Sequence, residues 1–90
     1  AFVCTDKEAI AMQDFLLKHE GVFVGPSAAL NVVGAVKVAR NLPRGSRVVT
    51  VLCDGGDRYL SKHYNMEWRR ANNLLVEGSE SASDISFVLE

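Results

Sequence analysis

Along this chain of 90 residues the apolar positions change spacing several times, and each change predicts an element. Ala9, Met12, Phe15 and Leu16 recur at helical spacing, with Ile10 and Leu17 widening the stripe. Thr5 followed three residues later by Glu8 predicts a capping box that starts this helix. It runs to about Glu20, where Gly21 can take the left-handed conformation that stops it. Met12 and Phe15 read as core packing rather than a pocket lining. A strand-like AFVC precedes the helix, and Val22-Phe23-Val24 follows it as a second short strand. From residue 28 to about 42 nearly every position is apolar, and only Asn31, Lys37, Arg40 and Asn41 supply polarity. A helix of that composition is expected to be enclosed on most sides. Pro43, Arg44 and Gly45 then break it.

The run 47–53 is different in kind. Val48, Val49, Thr50 and Val51 are β-branched in succession, apolar toward both faces, and end in Cys53-Asp54-Gly55-Gly56-Asp57. That pattern predicts a buried parallel strand, so residues 22–53 read as a βαβ unit with a right-handed crossover. The class is α/β. After the loop, 58–62 begins a short helix, and 65–75 forms another with Trp68 as its packing anchor. Residues 76–90 are mostly small, polar and acidic, and read as a flexible tail in which Ile85, Phe87, Val88 and Leu89 could dock.

Composition adds limits rather than a function. Hydrophobic residues make up 48% of the chain, rich for its size, which points to apolar surface meant for a partner or for further sequence. All ten basic residues and seven of the eleven acids lie within 1–76, so the body is positive and the tail negative. No Lys/Arg run or aromatic platform indicates nucleic-acid binding, and no apolar stretch reaches membrane-spanning length. Cys4 and Cys53 permit a disulfide, but two thiols buried in strands are the expectation. With His19 and His63 they do not make a metal set, and a reducing cytoplasmic or organellar compartment follows.

Candidate chemistry lies at the carboxyl ends of the two strands. Ligands of open α/β sheets sit there. Gly55 and Gly56 allow close backbone approach, Asp54 and Asp57 supply charge, and Ser27 can cap the second helix. If the strands are neighbours, Gly25-Pro26-Ser27 and the Cys53–Asp57 loop lie side by side.

Read together, EGVFVGPSAALN (20–31) and VVTVLCDGGDRYLSK (48–62) resemble the C-terminal part of the cysteine synthase and cystathionine β-synthase family. These are pyridoxal-phosphate enzymes of the tryptophan-synthase-β-like fold, fold type II. The resemblance covers about residues 3 to 75. It implies a partial three-layer α/β sandwich, with 1–75 as the C-terminal part of such a domain and 76–90 as the tail. It also implies β-replacement on O-acetylserine or a related small amino acid, in an enzyme that is usually a homodimer. Such an enzyme would be cytoplasmic, or lie in a mitochondrial or plastid matrix.

The family's hydroxyl at the cofactor ring nitrogen aligns here with Asp54 in one register and Gly55 in the other. An aspartate there favours a protonated pyridinium; alternatively, Asp54 only caps the following turn. Ser27 matches the first serine of the family's loop near the cofactor, but Ala28 and Ala29 replace the serine and glycine expected next. Arg58 and Tyr59 match a pair whose role is mainly structural. The family's cofactor-bearing lysine and phosphate cradle have no counterpart among these residues. Lys7, Lys18, Lys37 and Lys62 all read as helix-surface residues, so no catalytic residue is assigned. The chain is therefore expected to be an inactive fragment of a longer enzyme. A non-catalytic α/β interaction module, or a fragment of a serine/threonine dehydratase of the same fold, are the alternatives.

Overall fold

The structure is a computed structural model describing residues 2–74 and 84–89. Two helices make its centre: α1, Asp6–Glu20, and α2, Pro26–Ala39. The capping box forms as the sequence predicts: the Glu8 amide donates to Thr5 Oγ1 at 3.1 Å and the Thr5 amide to Glu8 Oε1 at 2.9 Å. Gly21 closes α1 at φ +65°. Helix α2 begins two residues earlier than expected because Pro26, with its fixed φ and no amide to satisfy, suits a first helical position. It ends earlier too, at Ala39, where the Asn41 and Leu42 amides donate to the Val38 and Ala39 carbonyls in tighter three-residue turns.

Ala9 and Met12 of α1 pack against Ala28, Ala29 and Val33 of α2, and Val24 and Val88 join the same cluster. Small residues on α2 let the helices approach closely. The second face of α1 is also covered. Ile10 is fully buried, and Asp14, one turn further along, pairs with Arg69 of a short third helix, α3, Met66–Ala71. Asn65 caps α3 through its side chain, accepting the Glu67 and Trp68 amides at 2.9 and 3.1 Å. Trp68, the expected anchor, is only half-buried beside His63; the fully buried residue of this helix is Arg69. Between 55 and 65 the chain forms a 3-10 turn, Gly56–Tyr59, in place of the expected start of a helix.

The strands depart most from expectation. Among the described residues no strand ladder forms, and one isolated antiparallel bridge joins Val24 to Gly55. Residues 47–53 carry no regular structure and are exposed, with Val49 at 84% and Val51 at 65%. A strand is completed only by a hydrogen-bonded neighbour, and none of the described segments pairs with this one in a ladder. The predicted burial of 47–53 and the parallel pairing of a βαβ unit are thus not realised by these residues. The open side of α2 follows from the same cause: Leu30 and Val38 are exposed instead of enclosed. Cys53 is exposed, Cys4 is half-buried, and both are free thiols.

Residues 76–83 and 90 of the expected tail lie outside the described residues. Residues 84–89 dock across the ends of α1 and α2, the alternative the apolar side chains offered. Val88 is buried in the core, Phe87 meets Phe15 with ring centroids 5.7 Å apart, and Arg40 donates to the Val88 carbonyl at 2.6 Å. Among the described residues no helix is long and apolar enough to cross a membrane.

Candidate functional site

The expected convergence of the two glycine-containing loops does occur, at the N-terminus of α2. The Gly25 amide donates to the Asp54 carbonyl and the Gly56 amide to the Phe23 carbonyl, both at 3.1 Å. These bonds flank the Val24–Gly55 bridge and lay loop 53–57 against the start of the helix. Val24 is itself held from two sides, its carbonyl accepting from Gln13 Nε2 at 3.2 Å and from the Tyr64 hydroxyl. The Phe23 and Tyr64 rings pack beside it, tilted by 52° with centroids 4.8 Å apart. The turn is therefore fixed by side chains from α1 and from the segment before α3.

Asp54 caps α2 rather than the turn that follows it. Its Oδ1 accepts the Ala28 amide of α2 at 3.3 Å. The residue at the cap position, Gly25, has no side chain for that task, so a carboxylate 29 positions downstream supplies it. A negative charge at this helix end also meets the partial positive charge of the exposed amides. Ser27, expected to be the cap, instead lies inside the first turn and is exposed. Gly25 is required by this arrangement: a Cβ there would lie 2.3 Å from Asp54 Oδ2. The glycines of the loop serve the chain's own packing in the same way. A Cβ on Gly55 would meet Asp57 Oδ1 at 2.8 Å, and one on Gly56 would meet the Phe23 ring at 2.6 Å. The close approach that the sequence reserves for a ligand is here taken by neighbouring side chains.

Electrostatics tie Tyr59 to the same carboxylate. A side-chain hydrogen bond to Asp54 raises the Tyr59 pKa above the usual tyrosine value, because losing the phenolic proton would set two negative groups together. The Tyr59 ring stands edge-on to His63 at 5.3 Å, and burial holds the His63 pKa below the usual histidine value. Tyr59 was read from sequence as structural; its link to Asp54 depends on a 3-10 turn that apolar spacing does not encode. Lys37 corrects the expectation that every lysine lies on a helix surface. It is buried in an ion pair with Glu8, Nζ to Oε2 3.0 Å, toward the end of α2 opposite Asp54. No cluster of three metal-ligating side chains occurs among the described residues.

One prediction follows for the cap. Asp54→Ala should destabilise the chain by about 0.5–2 kcal/mol, the range for loss of a helix cap, whereas Asp54→Asn, which keeps an acceptor oxygen, should cost less. Urea unfolding of both variants measures the difference; equal stability of Asp54→Ala and the parent chain would exclude the capping role.

The family model described as pyridoxal-phosphate dependent enzyme matches residues 1–54, which include the cap residue Gly25, Ser27 and Asp54. The chain belongs to this family. Pyridoxal phosphate is the cofactor of its complete members, as the resemblance implies. A cysteine synthase of Dictyostelium discoideum is 48% identical over 88 residues, 98% of this chain and 22% of the relative. Cysteine synthase 2 of Schizosaccharomyces pombe is 48% identical over 77 residues, 86% of this chain and 20% of the relative. A cystathionine beta-synthase of Dictyostelium discoideum is 40% identical over 70 residues, 78% of this chain and 14% of the relative. The chain thus spans about a fifth of the length of the cysteine synthases it matches.

The side chains at the loop fit one edge of that cofactor. Asp54 is half-buried; its carboxylate accepts the Ala28 amide at Oδ1 and bonds the Tyr59 side chain, which leaves lone pairs for a further donor. A carboxylate is an acceptor suited to a protonated pyridine nitrogen. Gly55 offers only backbone, and the Ser27 hydroxyl lies exposed in the adjoining turn.

Proposed function

We propose that this chain forms the segment of a cysteine synthase-like enzyme that closes the nitrogen edge of the cofactor ring. The supporting observation is the meeting of Asp54 with the first turn of α2. It places a fixed carboxylate beside Ser27 in a chain whose relatives are cysteine synthases. Asp54 would hold the ring nitrogen and keep it protonated, with Gly55 and the Ser27 hydroxyl adjoining. The cofactor, when bound, supplies the electron sink for chemistry at the β-carbon of an amino acid. Asp54 would strengthen that sink by holding a proton on the nitrogen, and the helix amide would keep the carboxylate from swinging away.

The reaction class is β-replacement on O-acetylserine or a related amino acid, yielding cysteine, in a homodimeric enzyme of the cytoplasm or of an organelle matrix. The chain by itself would be inactive, since its buried lysine is committed to Glu8 and none of its other lysines matches the family's cofactor-bearing lysine. In the complete enzyme it would form part of a three-layer α/β sandwich. The test is a chimera in which this chain replaces the matched 88 residues of the Dictyostelium relative. The chimera should bind pyridoxal phosphate, with its visible absorption band, and convert O-acetylserine and sulfide to cysteine. Asp54→Asn in the chimera should weaken cofactor binding about tenfold or more, the value of one charge-assisted hydrogen bond, and shift the band. A functional chimera indifferent to that substitution would remove Asp54 from the ring.

A further inference from the structure

One peptide unit beside the candidate site is gripped at both edges. The Val24 carbonyl and the Gly25 amide belong to the same planar group. The carbonyl accepts from Gln13 Nε2 at 3.2 Å and from the Tyr64 hydroxyl, so both of its lone pairs are engaged. The amide, at the opposite edge, donates to the Asp54 carbonyl at 3.1 Å. Donors on the carbonyl polarise the peptide and strengthen its own N–H as a donor, as in any chain of hydrogen bonds. Residue 25 also abuts the Asp54 side chain, since a Cβ on it would lie 2.3 Å from Oδ2. Its carbonyl starts α2 by accepting the Ala29 amide at 3.1 Å. Rotating this one plane therefore disturbs the Asp54 backbone, its carboxylate and the helix end that it caps together.

We propose that Tyr64 and Gln13 are positioning residues for Asp54, acting through the Val24–Gly25 peptide. This rests on the functional reading above, in which Asp54 holds the ring nitrogen. Gln13 is fully buried, and its Oε1 meets no partner among the described residues. Packing alone favours an apolar side chain at such a position, because a buried oxygen without a partner is costly. What the glutamine adds is its Nε2 donor to Val24. Tyr64 is set in place from two directions: its ring packs on Phe23, and Arg69 holds the His63 carbonyl just before it. Burial raises the Tyr64 pKa, so the hydroxyl keeps the proton it donates. The two side chains thus fix the plane of one peptide, and that plane fixes the direction in which the carboxylate points.

Two measurements test the proposal. In this chain, amide exchange read by nuclear magnetic resonance should show Gly25 exchanging about tenfold faster in Tyr64→Phe, the effect of one lost hydrogen bond. The Met12 and Val33 amides, inside α1 and α2, should change less. Gln13→Met, which keeps the volume and removes the donor, should act in the same direction. Equal acceleration at all three amides, or none at Gly25, overturns the link and leaves both side chains as packing. In the chimera, Tyr64→Phe should lower kcat with little change in KM, and shift the cofactor band in the direction that Asp54→Asn shifts it. Combined with Asp54→Asn, it should shift the band no further. Effects that add in full, or a chimera that responds to Asp54→Asn and not to Tyr64→Phe, overturn the positioning role. A chimera indifferent to Asp54→Asn removes the ring-nitrogen reading, and selective acceleration at Gly25 then still upholds the peptide link to Asp54.

Discussion

Arg69→Ala is expected to destabilise the chain by about 3–5 kcal/mol, the range for removing one partner of a buried ion pair. Arg69 is 1% exposed, and its two terminal nitrogens meet the two oxygens of Asp14 at 2.9 Å each. Its Nε donates to the His63 carbonyl. Removing the guanidinium leaves a carboxylate only 11% exposed without this partner, and leaves a carbonyl without its donor. Domains of this size have about 5–15 kcal/mol in total, so the loss is a large share. The geometry is a fork on a fork, which a lysine's single point charge cannot reproduce, and Arg69→Lys should recover only part of the stability. Local effects should reach the candidate site. Arg69 ties α1 to the segment carrying Tyr64, and the Tyr64 hydroxyl holds the Val24 carbonyl beside the Asp54 loop. Urea unfolding by far-ultraviolet circular dichroism is the measurement. A midpoint for Arg69→Ala within error of the parent would exclude the structural role given to this pair.

The second large effect is expected from Lys37→Met. Lys37 and Glu8 are each about 3% exposed and pair at 3.0 Å between α2 and α1. Glu8 is also the acceptor for the Thr5 amide and hydroxyl and, from the far end of the chain, for the Leu89 amide at 2.8 Å. One carboxylate therefore starts α1, fastens α2 and anchors the docked segment 84–89. Without its cation it stays buried and charged, again at a cost of about 3–5 kcal/mol.

The pH dependence separates this account from simple loss of packing. Burial pushes the Glu8 pKa up, but the Lys37 bond and the donors from Thr5 and Leu89 outweigh it, so the folded-state value is lowered. A carboxyl depressed by folding contributes stability above its unfolded pKa and loses it as pH falls through the folded value. The parent chain should therefore weaken on acidification below the usual glutamate range. In Lys37→Met the burial effect is left with less opposition, so protonation should cost less and the gap to the parent should narrow at acid pH. The pair Glu8→Gln/Lys37→Met should be more stable than Lys37→Met alone, because a neutral amide can still accept from Thr5. A Lys37→Met deficit unchanged across pH would overturn the role of charge.

How far these features were legible varies with the range of the interaction. Thr5, Glu8 and Gly21 predicted the ends of α1 because caps are made by residues within one turn. The apolar run from 28 to about 42 predicted a helix enclosed on most sides, but not that Ala28, Ala29 and Val33 would be its buried face. The candidate site was legible as a meeting of two loops. Its wiring was not, because Asp54 acts on a helix whose cap position is 29 residues earlier. Buried charges were the least visible: Lys37 reads from the sequence as a helix-surface residue and Arg69 carries no signal of burial, and the opposing Glu8 and Asp14 make that burial tolerable.

The sequence by itself determined where α1 and α2 form, which loops can carry chemistry, and the resemblance that the relatives bear out. Those follow from local stereochemistry and from the order of motifs along the chain. Only the tertiary structure decided that Asp54 caps α2, that two ion pairs hold the helices, and that 84–89 docks. It also decided that 47–53, apolar enough to demand burial, stands open. Each of these depends on which distant group arrives within hydrogen-bonding or van der Waals reach, and apolar periodicity specifies a face to be buried without naming what covers it.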